Sequence, residues 1–243
     1  MPEKLLEYGL QYGIYMLEAL VFAVVVHRGQ WRRYLGVSVY LLSFAAVDLA
    51  VRPYFLYHYG LDSLAYAYCY WLTDALLALE AFGLMCIFFR RACPPKLWDV
   101  LRLALPLAFI LVAAISCRSL SIHKNTLLHD FIYEFEQILF FACLVLNTLL
   151  YVMLTQTESA DSELGLLVCG MGILFAGPSA ALALVHVTFA GSFSVWLLAH
   201  VMPLCTLGML LVWLYAITAT HKEATRTLSE RGPRVPALAE AGS

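Results

Sequence analysis

Seven apolar runs, each long enough to cross a bilayer, constrain this chain more than any other feature. A hydrocarbon core of about 30 Å needs about 20 helical residues to cross it. Such runs cover residues 6–27, 34–57, 63–89, 99–117, 127–154, 165–190 and 194–220. The pattern predicts an all-α polytopic membrane protein, with a seven-transmembrane-helix bundle over residues 1–220.

The composition favours the same class. Of the 243 residues, 62% are hydrophobic and 13% are charged, and the mean hydropathy is +0.79. The seven runs and their short connections use most of the chain, so we expect no separate soluble catalytic or DNA-binding domain. With a net charge of -2 and basic residues scattered between the helices, nucleic acid is not an expected partner. The expected partner is the lipid bilayer.

The distribution of basic residues predicts the orientation. Of the fifteen lysines and arginines, ten lie in the first and third loops and the C-terminal tail, and Arg102 lies just inside the fourth run, next to the third loop. Basic loops stay cytoplasmic, so we expect the N-terminus outside and the C-terminus in the cytoplasm of a plasma or inner cell membrane. The acidic fifth loop, TQTESADSELG, also falls inside without a basic residue. Residues 221–243 are polar, and we expect them to form a short disordered cytoplasmic tail.

Ionisable side chains occur inside the predicted spans. Each costs about 2.5 to 3.5 kcal/mol near the bilayer centre, so such side chains usually face the bundle interior with a partner. Counted from the outer helix ends, nearly all fall in the outer half of the membrane. Arg52 is the only permanently charged cation at this depth, so several carboxyl groups compete for it. The set comprises Glu18, Asp48, Arg52, Asp74, Glu80, Glu134, Glu136, His186 and His200.

Helical spacing places several of these groups on stripes that also carry aromatic rings. Gln11, Tyr15 and Glu18 follow one another in steps of three and four residues on the first helix. Asp48 and Arg52 are four residues apart and can pair within one helix. We therefore predict an outward-facing polar-aromatic cavity that binds a ligand. Its predicted binding residues are Tyr15, Glu18, Asp48, Arg52, Tyr70, Asp74, Glu136, His186 and His200.

The segment RPYFLYHYGLDSLAYAYCYW, residues 52–71, gathers aromatic residues at one bend between two spans. Tyrosine and tryptophan prefer the headgroup layer, so one interpretation is an interfacial aromatic belt. A second is the mouth of a pocket, because Tyr66, Tyr70 and Asp74 share one helix face that leads into the membrane.

Small residues predict close helix packing, and prolines predict kinks or helix ends. The sixth run contains CGMGILFAGPSAALA, a composition that predicts close helix packing. Pro53 and Pro178 lie within predicted spans and are expected to kink or bound their helices.

No motif identifies a reaction. H-E-x-x-H and G-x-S-x-G are absent from the sequence. The four lysines lie in loops or at helix ends, so no span carries a retinal Schiff base. Our main hypothesis is a non-enzymatic sensory or accessory membrane protein that binds a small-molecule or lipid-like ligand and works with a membrane protein partner. No catalytic residue, metal ligand or cofactor is assigned.

Two alternatives stay open. The first is a proton- or cation-coupled transporter that uses Glu18, Asp74 and Glu80. The second is a membrane-embedded metal-dependent hydrolase or a haem-binding protein. In that case His186 and His200 would bind a metal ion together with Asp74, or would bind haem iron by themselves.

The predicted orientation has a direct test. A cysteine introduced near Gly60 should react with an impermeant maleimide added to intact cells, because that turn is predicted to face outward. A cysteine near Glu230 should react only after the membrane is opened. The opposite labelling pattern would invert the assignment of the two membrane faces.

Overall fold

The computed structural model describes residues 2–29, 31–61, 63–120, 127–156, 162–188 and 192–230, and these parts are helical apart from short turns, with no strand among them. The helices are α1 Pro2–His27, α2 Leu35–Ala46, α3 Arg52–Tyr59, α4 Leu64–Ala92, α5 Pro95–Leu120, α6 Leu127–Gln156, α7 Ser162–Thr188 and α8 Ser192–Glu230. Counting α2 and α3 as one unit, seven of these described helices are long and apolar enough to cross a membrane. The predicted all-α class and number of spanning helices are confirmed.

The second span contains a change of helix type that the sequence pattern did not specify. Between α2 and α3, residues Val47–Val51 form a π-helical turn, and the Arg52 N–H donates to the Val47 carbonyl. Pro53 lacks an N–H, and its ring crowds the carbonyl of the preceding helical turn. The wider turn accommodates this ring, so the span continues from Leu35 to Tyr59.

Local signals end α3 and begin α4. Gly60 has a φ of 78°, a left-handed value that suits glycine, and its N–H donates to the Leu56 carbonyl at 3.0 Å. Ser63 then caps α4, since its Oγ accepts a hydrogen bond from the Tyr66 N–H at 3.1 Å. We term the side of the bundle that carries this turn the Gly60 face, and the opposite side, where α7 begins, the Glu163 face.

The helices close into a ring. Contacts join α1 to α2, α2 to α4, α4 to α6, α6 to α7, α7 to α8 and α8 back to α1. Helix α5 packs against α6 and α4 from outside this ring. Its apolar span is only 11% buried, compared with 50% for α4 and 56% for α7. Helices α4 and α7 therefore contain the most buried of the described spans.

Helices α7 and α8 pack closely against each other. The Trp213 ring of α8 is fully buried, and its Nε1–H donates to the Leu167 carbonyl of α7 at 3.0 Å. A Cβ at Gly170 would lie 2.7 Å from that ring. The small residues of the sixth run thus admit a large side chain from the neighbouring helix, as predicted from their composition.

The outer surface of the bundle is apolar. Large hydrophobic side chains project outward along several spans. In water, so many exposed apolar groups would promote aggregation. In a bilayer they contact acyl chains, which agrees with a multi-pass membrane protein. They include Met16, Leu20, Leu42, Leu72, Leu103, Leu107, Ile110, Leu111, Val145, Leu149 and Leu211.

A buried carboxylate organises the Glu163 face. Glu163 lies in the first turn of α7 and is only 1% exposed. Its Oε2 is 2.7 Å from Nη2 of Arg33, and its Oε1 is 3.4 Å from Nη2 of Arg91. The sequence pattern had placed this acid in a loop without basic residues. The structure places Glu163 in α7, and arginines from the α1–α2 connection and the end of α4 supply the positive charge that this loop lacks.

The C-terminal helix is longer than predicted. Helix α8 continues to Glu230, whereas the sequence pattern had ended the span at residue 220 and assigned residues 221–243 to a disordered tail. Residues 231–243 lie outside the described part of the chain. The orientation of the two termini across the bilayer stays a prediction.

The α7–α8 interface generates a paired test. Gly170→Ala should lower the free energy of unfolding by about 2 kcal/mol, because the new methyl group must displace the buried Trp213 ring. Gly165→Ala on the same helix should be neutral or stabilising by up to about 1 kcal/mol, since alanine is the better helix former and nothing lies within 4 Å of its Cβ. Thermal unfolding in detergent measures both. Equal effects would contradict the packing of Trp213 against Gly170.

Candidate functional site

A cavity of about 490 Å³ lies inside the bundle, between the Gly60 face and its middle. Six spans contribute to its wall, and the described side chains of α5 do not line it. At the Gly60 end it is bordered by Gln11, Leu56 and Tyr66. The remaining lining residues are Ile14, Tyr15, Tyr40, Phe44, Asp48, Arg52, Pro53, Tyr70, Asp74, Leu77, Ala78, Ala81, Phe140, Leu174, Met202, Pro203 and Thr206.

Arg52 lies on the wall of this cavity and joins two carboxylates. Its Nη1 donates to Oδ1 of Asp48 at 3.0 Å, and its Nη2 donates to Oδ1 of Asp74. The side chains are 17%, 12% and 25% exposed for Arg52, Asp48 and Asp74. Such partly desolvated ion pairs are stronger than surface pairs because less water screens them.

Two neighbours on α4 fix the orientation of the guanidinium. The Nε–H of Arg52 donates to Oγ1 of Thr73 at 3.3 Å, and that hydroxyl itself donates to the Tyr70 carbonyl at 2.8 Å. The carbon at the centre of the guanidinium lies 4.2 Å from the centroid of the Tyr70 ring. This distance is typical of a cation–π contact. Helices α3 and α4 are thereby linked through one side chain.

Asp48 and Asp74 both line the cavity, and each uses one carboxylate oxygen in this network. Arg52 contacts only their Oδ1 atoms. Within the described part of the chain, neither Oδ2 atom has a hydrogen bond from a protein group. With two carboxylates and one guanidinium, Asp48, Asp74 and Arg52 carry a formal charge of -1 together.

The α1 side of the cavity is polar near the Gly60 face and acidic deeper in the bundle. Gln11 donates from Nε2 to the Tyr15 hydroxyl at 2.8 Å, and both residues line the cavity. Glu18 lies one turn deeper and is 4% exposed. Its Oε2 has no hydrogen bond from any described residue. The predicted position of Tyr15 on the cavity wall is matched, whereas Glu18 lies behind that wall.

Of the three remaining predicted site residues, His200 alone has a described side chain, and it does not line the cavity. His200 is buried on α8, but the cavity is lined there by Met202, Pro203 and Thr206. Glu136 and His186 lie on α6 and α7, outside the residues whose side chains the structure describes. Among the described side chains, no group of three or more His, Cys, Asp or Glu residues is placed to bind a metal ion.

The aromatic bend divides into two parts. On α3, Tyr54 stacks near His58 with ring centroids 4.2 Å apart, and Phe55 stacks on Tyr59 at 5.5 Å. Tyr57 is 88% exposed, so this group projects outward as expected for an interfacial belt. Tyr66 and Tyr70 on α4 line the cavity instead. Each of the two sequence interpretations describes one helix of the bend.

Several lining residues were missed by the sequence reasoning. Tyr40 and Phe44 precede Asp48 by eight and four residues, so the same face of the second span carries all three. Phe140 lies on α6 and Leu174 on α7. The spacing on α2 could have revealed the first two. No sequence signal distinguishes Leu174 from the other apolar residues of its helix.

Comparisons with protein-family models, curated proteins and solved structures give no match. The function is therefore argued from the chain's own residues.

The Arg52 network predicts an asymmetric response to mutation. Arg52→Ala leaves Asp48 and Asp74 without their cation and should lower the free energy of unfolding by about 3 kcal/mol. Asp74→Asn keeps an oxygen that accepts from Nη2 and should cost only about 1 kcal/mol. Thermal unfolding in detergent compares the two variants.

The exposed pair of Asp99 and Arg102 on α5 supplies matched controls, since both side chains are 67% exposed. Arg102→Ala and Asp99→Asn remove the same groups outside the cavity and should leave the midpoint of thermal unfolding almost unchanged. Similar losses for Arg52→Ala and Asp74→Asn would contradict a network centred on one cation.

Proposed function

We propose that this multi-pass membrane protein binds a small-molecule or lipid-like ligand in the cavity around Arg52, and that it acts as a sensory or accessory protein rather than as an enzyme. The cavity itself is the observation that carries the proposal. Its volume of about 490 Å³ falls within the range of small-molecule sites, about 300 to 1,000 Å³.

The lining supports binding because it combines many apolar groups with a few fixed polar groups. Small-molecule sites commonly use this combination, in which apolar contacts provide affinity and polar groups orient the ligand. Here Arg52, Asp48 and Asp74 supply the charged groups. The rings of Tyr15, Tyr40, Phe44, Tyr66, Tyr70 and Phe140 supply most of the aromatic surface.

The contacts of the polar groups on the wall favour ligand binding over nucleophilic catalysis. Nucleophilic catalysis requires a hydroxyl or thiol within hydrogen-bond reach of a general base. The Thr206 hydroxyl donates to the Met202 carbonyl at 3.1 Å. The aspartates are bonded to Arg52. This arrangement favours a binding protein over a hydrolase.

The transport alternative would need a route from the cavity to the Glu163 face. Glu80 lies beyond Asp74 on α4, and its Oε2 is buried with no hydrogen bond from a described residue. Further along, Met85, Phe88 and Trp213 are fully or almost fully buried in the core. This packed half of the bundle favours a cavity with access from one face.

The proposed outward orientation rests on the distribution of positive charge. Arg33 and Arg91 contact Glu163, and Arg28 donates to the Ile217 carbonyl at 2.7 Å, all on the Glu163 face. Because arginines accumulate on the cytoplasmic side, the cavity on the Gly60 side would open outward. In the sensory version of the proposal, ligand binding would alter the bundle and a membrane protein partner would detect the change.

A fluorescent probe tests whether the cavity accepts a ligand. Uncharged 1-aminoanthracene should bind the purified protein saturably, with about one site per chain, because its fused rings suit an aromatic-lined cavity. Its fluorescence rises on leaving water and is measured by titration in a neutral detergent, after subtraction of the signal from empty micelles.

Two tryptophan variants make the titration specific. Leu174→Trp places a larger ring at the cavity wall and should abolish the saturable signal. Leu103→Trp adds the same ring to α5 at a position 74% exposed to the bilayer, and it should bind the probe like the wild type. If the wild type shows only the linear signal of micelle partition, the proposed function is wrong.

A further inference from the structure

We infer that the ligand of this cavity is a monovalent organic cation, an amine that carries an apolar body. The inference rests on the proposed function, since it names the chemical class that the same cavity would select. It is supported by the position of Arg52, which forms ion pairs with Asp48 and Asp74 on a cavity wall that also carries aromatic rings.

The formal charge of the cavity wall is the first step. Of its lining residues, Asp48 and Asp74 are acidic and Arg52 is basic, which leaves a formal charge of -1. In the low dielectric of a bundle interior, an uncompensated charge is costly. A ligand with one positive charge brings the formal charge to zero, whereas a monovalent anion brings it to -2 and raises the cost further.

The geometry of Arg52 is the second step. Each of its three nitrogens already donates a hydrogen bond, to Asp48, to Asp74 and to Thr73. The Tyr70 ring lies against the guanidinium at 4.2 Å. A carboxylate or phosphate ligand recognises arginine through a pair of parallel N–H donors. Two of its five N–H groups stay available, but an anion that approached them would lie beside Asp48 and Asp74, whose carboxylates repel it.

The aspartate oxygens are the third step. Their Oδ2 atoms receive no hydrogen bond within the described part of the chain, while their Oδ1 atoms hold Arg52 in place. An ammonium group has donors but no acceptor. It can therefore bond to these Oδ2 atoms without disturbing the Arg52 contacts.

The rest of the wall selects an organic cation over an inorganic one. The faces of tyrosine rings carry negative electrostatic potential and attract ammonium groups. Tyr15 and Tyr66 supply such rings on the wall of the same cavity, and Ile14, Leu77 and Leu174 extend the wall with apolar groups. A hydrated metal ion gains nothing from this apolar surface, whereas the hydrocarbon part of an amine gains from leaving water.

Competition against 1-aminoanthracene tests the charge preference. The probes are 2-phenylethylammonium, 2-phenylethanol and phenylacetate, which share one ring and differ in charge. In neutral detergent at pH 7, the ammonium should displace the dye with an affinity about tenfold tighter than the alcohol, the factor that corresponds to one charge-assisted hydrogen bond. Phenylacetate should compete more weakly than the alcohol.

Substitution of the aspartates assigns this preference to the cavity. Asp74→Asn removes the formal negative charge and should reduce the affinity of the ammonium to that of the alcohol, while the alcohol changes little. Asp48→Asn is a second variant with the same expected direction. Asp99→Asn on α5 makes the same chemical change at an exposed site and should keep the tenfold preference. Saturable dye binding shows in each case that the cavity has folded.

The outcomes separate this inference from the proposed function. Saturable dye binding with phenylacetate competing as well as the ammonium would overturn the inference and leave ligand binding intact. Equal competition by all three probes would do the same. An ammonium preference that survives both Asp74→Asn and Asp48→Asn would also overturn it, because the charge would then act elsewhere. Absence of any saturable dye binding would overturn both proposals.

Discussion

The salt bridges of Arg52 are the interaction on which the rest of the site depends. An arginine inside an apolar bundle is tolerated only when its charge is balanced and its donors are bonded. Asp48 supplies one partner from the π-helical turn of the same span, and Asp74 supplies the other from α4. This turn directly precedes Pro53 and contains Asp48, so the backbone change that accommodates the proline ring also sets the position of a carboxylate that pairs with Arg52.

A second charged network, around Glu163, gives the bundle two different halves. Asp74 and Arg91 lie on the same helix about 25 Å apart along its axis, given a rise of about 1.5 Å per residue. Helix α4 is therefore held by ion pairs at two levels. Between them, Leu84, Met85 and Phe88 are almost fully buried. The half near Glu163 is packed, and the half near Gly60 contains the cavity.

The parts of this structure that depend on local pattern could be predicted from sequence, and the parts that depend on distant contacts could not. Apolar length indicated the seven spans, and the four-residue spacing of Asp48 and Arg52 indicated their pairing. The pairing of Glu163 with Arg33 and Arg91 joins the start of α7, the α1–α2 connection and the end of α4, and no local pattern encodes it. The same holds for Leu174, whose place on the cavity wall depends on how α7 is turned against α6 and α8.

The number of acids around Arg52 argues against a purely structural role for the network. A structural ion pair needs one carboxylate, and a second one adds a negative charge that the bilayer does not solvate. Asp48 and Asp74 both contact Arg52, and Glu18 lies deeper with an oxygen that no described donor reaches. Stability alone would favour an apolar residue at one of these positions. A cation bound in the cavity would instead balance the excess negative charge of these carboxylates.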